Sequence, residues 1–239
     1  MKGRFLDAVL AAGREARSVA LATELASGRQ FLLDGDRGEG DLALDNAAIA
    51  KMREAVRADR NIGLEAAAGR VFVQVFSPPR RCFVIGAVHI AQPLVQMLSS
   101  AEYRPIVIDP RESFASEARF PGLELSTEWP DEALERLNPD HRSAVVTLTH
   151  DPKLDDPALA VALRSDCFYI GALGSKRTHA ARCGRLKEMA FTDADLARIH
   201  GPIGLSIGAV SPAEIAVSIL GQMTQILRQG DKPSTAEAA

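Results

Sequence analysis

The sequence predicts an α/β protein: a Rossmann-like, doubly wound and mostly parallel sheet preceded by a small N-terminal α/β domain. Three observations carry this prediction. From residue 81 onward, short apolar runs alternate with longer segments of helical periodicity, as in parallel strands joined by right-handed crossovers. Glycines and polar clusters follow the apolar runs, at the carboxyl ends where ligands bind in open α/β sheets. Between the two regions stands Ser77-Pro78-Pro79-Arg80, a proline pair that interrupts regular structure. The expected division is residues 1–78, residues 81–230 and a loose C-terminal tail over 231–239.

In the first region, residues 5–13 read as a helix, 19–25 and 30–33 as strands, 46–58 as a helix and 70–76 as a strand. Val71, Val73 and Val75 alternate with Phe72, Gln74 and Phe76, which fits a strand covered on at least one side. Asp34-Gly35-Asp36-Arg37-Gly38-Glu39-Gly40 reads as an exposed hairpin loop, with a cation-binding loop as the alternative. In the second region, strands are expected at 81–85, 105–108, 144–149 and 167–170, and helices at 91–99, 156–165 and 178–190. Ser211-Pro212-Ala213-Glu214 has serine at N-cap, proline at N1 and glutamate at N3, a capping box. The helix it opens carries the apolar run 215–220, then Met223, Ile226 and Leu227, and is apolar enough to support a homodimer.

Composition excludes several classes. A chain of 239 residues, 46% hydrophobic and 25% charged, can bury a sizeable core. With 28 basic against 31 acidic residues the net charge is −3, which argues against general nucleic-acid binding. No apolar run is long enough to span a membrane, and Met1-Lys2-Gly3-Arg4-Phe5 lacks the apolar core of a signal peptide. Cys82, Cys167 and Cys183 are odd in number and show no CxxC spacing, so a reducing cytoplasm is expected in place of a disulfide framework or zinc ribbon.

Tyr169-Ile170-Gly171-Ala172-Leu173-Gly174-Ser175-Lys176-Arg177 joins an apolar strand to a helix start. Unpaired N–H groups at a helix start attract anions, and glycine lets a ligand approach the main chain. Lys176 and Arg177 fall where the helix dipole is already positive, an arrangement costing roughly 0.3–1 kcal/mol each that a bound phosphate would reverse. The alternative is a solvated helix start with two exposed bases. The turn after the first strand of this region reads Gly86-Ala87-Val88-His89-Ile90-Ala91. A dinucleotide fingerprint keeps glycine at the place of Val88, where the backbone approaches a pyrophosphate, and only Gly86 is retained. Asp109 lies about 20 residues on, the spacing of a ribose-binding carboxylate. His89 either polarises a ligand or caps the helix. Thr149, His150 and Asp151 offer donors and acceptors at a neighbouring strand end, without a nucleophile elbow. The segment 151–156 lacks the glycine and glutamate of a calcium loop, and Asp155 or Asp156 reads as a helix cap. Cys183 shares a helical stripe with His179, Leu186 and Ala190, with Arg182 and Arg185 off it.

Five segments carry a resemblance to a known family. They are Val107-Ile108-Asp109-Pro110-Arg111-Glu112 with Ala118-Arg119-Phe120-Pro121, Val145-Val146-Thr147-Leu148-Thr149-His150-Asp151, the 169–177 turn, Ile199-His200-Gly201-Pro202-Ile203-Gly204-Leu205, and Ile207-Gly208-Ala209-Val210-Ser211-Pro212-Ala213-Glu214-Ile215-Ala216. Residues 82–230 thereby resemble the Rossmann-like domain of the xanthine dehydrogenase accessory proteins, the XdhC/CoxI family. The resemblance implies a non-catalytic accessory protein that transiently binds the molybdopterin-type molybdenum cofactor and protects it during sulfuration. It implies delivery to a molybdenum hydroxylase such as xanthine dehydrogenase, with a cysteine desulfurase as a further partner. The expected cofactor contacts are Gly86, His89, Asp109, Arg111, Thr149, His150, Asp151, Gly171, Gly174, Ser175, Lys176, Arg177 and Gly208.

Two departures mark the chain as a shortened or divergent member. The family's first turn reads Gly-Ala-Gly-His-Val-Gly where this chain has Val88 and Ala91, and its Ser-Gly-Gly-Cys segment has no counterpart in the cysteine-free residues 1–78. Two other functions compete. An NAD(P)-binding oxidoreductase would use Asp109, and Val88 speaks against it. A ligand-free scaffold between a cysteine desulfurase and an apo-hydroxylase is disfavoured by the cations at 174–177.

Overall fold

A computed structural model describes residues 3–66 and 69–229; the expected tail at 231–239 lies outside the described residues. The chain divides into two compact units, Met1–Pro78 and Pro79–Ala239. In the first, the elements are α1 (Gly3–Arg14), β1 (Val19–Glu24), β2 (Gln30–Asp34), β3 (Arg37–Gly40), α2 (Asn46–Arg57), β4 (Ile62–Ala66) and β5 (Gly69–Phe76). The strands form an antiparallel sheet of order β3-β2-β1-β5-β4. Alternation along β1 sends Val19 and Leu21 to one face, where they meet Phe5 and Ala12 of α1. Ala20 and Ala22 go to the other, against Met52 of α2 and Val71 and Val73 of β5. The glycine segment at 34–40 is a hairpin whose second strand, β3, is exposed throughout.

The second unit contains β6 (Arg80–Ile85), α3 (Ala91–Ser100), β7 (Tyr103–Ile108), β8 (Glu124–Ser126), α4 (Pro130–Leu137), β9 (Ser143–Thr147), α5 (Pro152–Arg164), β10 (Tyr169–Ala172), α6 (Lys176–Glu188), α7 (Asp193–Leu196), β11 (Ile199–His200) and α8 (Pro212–Gln229). All five strand pairings are parallel, in the order β11-β10-β9-β6-β7-β8. This is the doubly wound order 3-2-1-4-5-6. Both faces are covered, which is why the strands read as continuous apolar runs. Cys82, Val84, Val107 and Val146 face α3 and α8 through Leu94, Leu98, Ile219 and Met223. Phe83, Ile85, Ile106 and Val145 face α4, α5 and α6 through Leu134, Leu159 and Leu186. The apolar stripe of α8 that suggested a homodimer is buried inside this core. The capping box is formed: Ser211 N donates to Glu214 Oε2 at 2.8 Å, and Glu214 N to Ser211 Oγ at 3.3 Å.

Two helix starts differ from expectation. Helix α5 begins at Pro152, with Asp151 as N-cap, its Oδ1 accepting from Lys153 N at 2.9 Å. Pro157 suggested a later start because proline favours the first turn; here it sits inside the helix. Asp155 and Asp156 are accordingly not caps. Helix α6 starts at Lys176, with Ser175 as N-cap.

Candidate functional site

Ile85 pairs with Ile108 on one side and Thr147 on the other, and Thr147 pairs with Ala172. The segments after these four residues therefore leave the sheet along one edge. They hold Gly86, Asp109, Thr149 with His150, and Gly174 with Ser175. The chain winds outward from β6 to β7 and β8, then crosses to β9, so the switch point lies between the ends of β6 and β9.

Gly86 adopts φ 101°, a left-handed angle that favours glycine, and a Cβ there would stand 2.5 Å from Thr149 Cγ2. The first and third turns are thus in contact. Asp109 is fully buried. Its Oδ1 accepts from Arg111 N at 3.0 Å and Arg111 Nε at 2.8 Å, and its Oδ2 from Ala87 N at 2.8 Å and Arg111 Nη2 at 2.7 Å. Burial pushes this carboxyl up, but Arg111 and the two backbone N–H groups outweigh it and hold Asp109 below the usual carboxylate range. A carboxylate has about four acceptor sites, and here all are engaged within the protein. Asp109 thus organises the first turn and leaves nothing for a ribose. Arg119, which periodicity did not single out, completes the turn: its Nη1 donates to Ala87 O at 2.7 Å and Phe114 O at 2.8 Å. Val88 packs against the α3–α8 core. His89 is exposed and makes no hydrogen bond among the described residues, and α3 has no side-chain cap, so the capping alternative for His89 falls.

The turn after β9 is built on a buried carboxylate. Asp155 Oδ1 accepts from Thr149 Oγ1 at 2.6 Å, and its Oδ2 from His150 N at 3.1 Å. These bonds hold His150 at φ 63°, a conformation costing a non-glycine residue about 1–2 kcal/mol. Burial raises the pKa of Asp155, and hydrogen bonding from Thr149 and the charge of Arg182 offset this only in part. Arg182 is 2% exposed. Its Nη2 donates to Leu173 O at 2.9 Å and lies 3.6 Å from Asp155 Oδ2. Its Nε and Nη1 are buried with no hydrogen-bond partner among the described residues. The sequence placed Arg182 off the helix's inner stripe; it and Leu186 are the buried residues of α6. His179 and Cys183 lie beside them, with Sγ 3.6 Å from Nε2. Burial, then the charge of Arg182, lowers the pKa of His179.

The turn after β10 stacks on this layer. A Cβ on Gly174 would stand 3.1 Å from Thr178 Cβ and 3.7 Å from His150 Nδ1. Ser175 Oγ accepts from Thr178 N at 3.1 Å. Lys176 and Arg177 are exposed, no acidic residue shares their helical turn, and neither has an ion-pair partner among the described residues. Two expected contacts have structural explanations. Gly171 is a packing glycine, because a Cβ would meet Ile203 Cδ1 at 2.5 Å. Gly208 has φ 75° in an exposed loop, with nothing within 4 Å of its Cβ position. Asp151, besides capping α5, lies close enough for its charge to strengthen that of Arg111, after the dominant contribution of Asp109. Cys82 and Cys167 are buried, and burial pushes the Cys167 thiol up to about 11. Among the described residues no group of His, Cys, Asp and Glu is arranged to hold a metal ion, and no helix is long and apolar enough to cross a membrane.

This edge lies within residues 82–223, which match the model of the XdhC Rossmann domain over more than half of the chain. The chain belongs to the XdhC family. Among curated XdhC-related proteins, it is 28% identical over 156 residues to a probable xanthine dehydrogenase subunit of Bacillus subtilis (strain 168), covering 65% of this chain and 45% of that protein. It is 32% identical over 98 residues to the molybdenum cofactor insertion chaperone PaoD of Escherichia coli (strain K12), covering 41% of this chain and 30% of the other. A crystal structure described as a xanthine dehydrogenase from Bacillus halodurans superposes with a TM-score of 0.72 at 25% identity, covering 96% of this chain and 66% of that one. This XdhC chain thus spans less than half the length of the curated relatives it matches.

Proposed function

We propose that the chain is an accessory protein that binds a molybdopterin-type molybdenum cofactor transiently and hands it to a molybdenum hydroxylase of the xanthine dehydrogenase kind. The observation that carries the reading is the pair Lys176 and Arg177, unpaired at the start of α6 and linked through His150 and Thr149 to the Gly86 turn. Uncompensated cations above a Ser175-capped helix start suit a phosphate, and the unpaired nitrogens of buried Arg182 add positive potential beneath it. The cofactor, when bound, supplies a phosphate anion and a hydrogen-bonding pterin. Lys176, Arg177 and the backbone at 174–175 would hold the first, and Thr149 and His150 would orient the second. The names of the B. subtilis and PaoD relatives support the accessory role. Sulfuration before delivery would bring in a cysteine desulfurase, and a reducing cytoplasm would keep the three cysteines as thiols. The nicotinamide reading is disfavoured by Val88 and by the saturated carboxylate of Asp109.

Native mass spectrometry of protein purified from a molybdenum-replete host tests this directly. A mass increment matching the pterin cofactor, lost in the K176A/R177A variant, is the expected result. A bound nicotinamide dinucleotide, or equal cofactor retention by the variant, would overturn it.

A further inference from the structure

The loop between β7 and β8 holds an aromatic ring that the core leaves at the surface. Phe114 is 39% exposed. Two guanidinium groups lie against it, Arg111 at 4.3 Å and Arg119 at 5.7 Å from the ring centre. Both are pinned at their other contacts. Arg111 is held in plane by two parallel hydrogen bonds to Asp109, at 2.8 and 2.7 Å. Arg119 ties Phe114 O to Ala87 O, so the aromatic loop is fastened to the Gly86–Ala87 turn. Yet the Arg111 side chain remains 41% exposed. A guanidinium fixed in this way presents a flat cationic face with little rotamer entropy left to lose. The chain's one tryptophan, Trp129, follows β8 on the same edge and is 50% exposed. Asp109 N donating to Ser126 O at 3.0 Å joins the two strand ends. Two exposed aromatic residues and a pinned arginine therefore follow adjacent strands at the ligand-binding edge of the sheet.

We propose that Phe114 and Arg111 form a stacking platform for a planar nitrogen heterocycle whose phosphate is held at Lys176 and Arg177. The assignment rests on the phosphate reading above and adds the ligand's second half. Three strand spacings separate β7 from β10, about 14 Å at roughly 4.8 Å each. A fused heterocycle bearing phosphate on a side arm, whether a pterin or a nucleotide, is built to reach across such a gap. Stacking on an arginine plane and an aromatic ring tolerates either heterocycle, because both present a π-face.

Calorimetry with three probes tests the platform: neopterin phosphate, adenosine monophosphate and inorganic pyrophosphate, each against the full chain. At least one heterocyclic phosphate should bind more tightly than pyrophosphate. F114A should weaken that heterocycle about ten-fold and leave pyrophosphate unchanged, while F114Y should restore wild-type affinity. The tighter heterocycle identifies the class of ligand. K176A/R177A should weaken all three probes; if it weakens none while F114A still acts, the phosphate reading fails and the platform stands. Unchanged heterocycle affinity in F114A, or heterocycles no tighter than pyrophosphate, would overturn the platform.

Discussion

A guanidinium that is 2% exposed, with two nitrogens unpaired among the described residues, makes Arg182 the most costly polar group beneath the candidate site. Its neighbour Asp155 gives this a measurable consequence. The pKa of Asp155 is raised above its ordinary value of 3.8, chiefly by burial. The folded state therefore holds the proton more tightly than the unfolded one. The resulting stability is full below the ordinary carboxylate value and is lost as pH rises through the raised one. D155N cannot ionise, so wild-type stability should fall relative to the variant as pH rises from acid toward neutral in urea titrations. A pH-independent difference between the two would contradict this. At the exposed end of the same helix, K176A/R177A should weaken phosphate-ligand binding by roughly 2–4 kcal/mol through lost charge-assisted hydrogen bonds. Equal calorimetric affinities would end the phosphate assignment. Lys176 and Arg177 were legible in the sequence because glycine turn, serine cap and basic pair coincide. Arg182 was not, because an arginine on a mainly polar helix reads as solvated. Asp155 read as a cap, because its burial follows from the tertiary packing of α5 against α6.

Among the elements, the four interior strands of the parallel sheet were visible as apolar runs, since burial on both faces demands them. The edge strands were not: β8 has three half-buried residues and β11 only two. Strand β3 reads Arg-Gly-Glu-Gly and has no apolar signal. Helix α4 begins after Trp129 without a polar cap, and its only sequence signal is Pro130 with Asp131 and Glu132 in the first turn. Helix α8, marked by its capping box, was plain. Its burial against α3 implies that M223A, at a fully buried position, should cost about 2–5 kcal/mol in denaturant unfolding. A loss under about 1 kcal/mol would show that α8 is not part of the core. Strand β10 yields a sharper test of role. G171A forces a Cβ against Ile203 and should destabilise by about 1–3 kcal/mol. A second change, I203V, should recover part of that loss. If G171A instead folds with unchanged stability and loses ligand affinity, Gly171 is a binding glycine after all.

At the scale of the molecule, the doubly wound order gathers the ends of β6, β7, β9 and β10, so residues from 86 to 177 meet on one edge. The sequence revealed that edge through its glycine turns and ordered motifs. It did not reveal that Asp109 faces inward, because spacing alone cannot tell a carboxylate aimed at a ligand from one aimed at Arg111. The central claim is that this edge carries a phosphorylated pterin cofactor to a client enzyme. Reconstitution of a separately expressed apo-hydroxylase, at equal cofactor, with the chain, with its K176A/R177A variant or with neither, tests it most directly. The account predicts that client activity rises with the wild-type chain and falls back toward the chain-free level with the variant, while the chain alone turns over no purine. Client activity that is the same in all three reactions would contradict it.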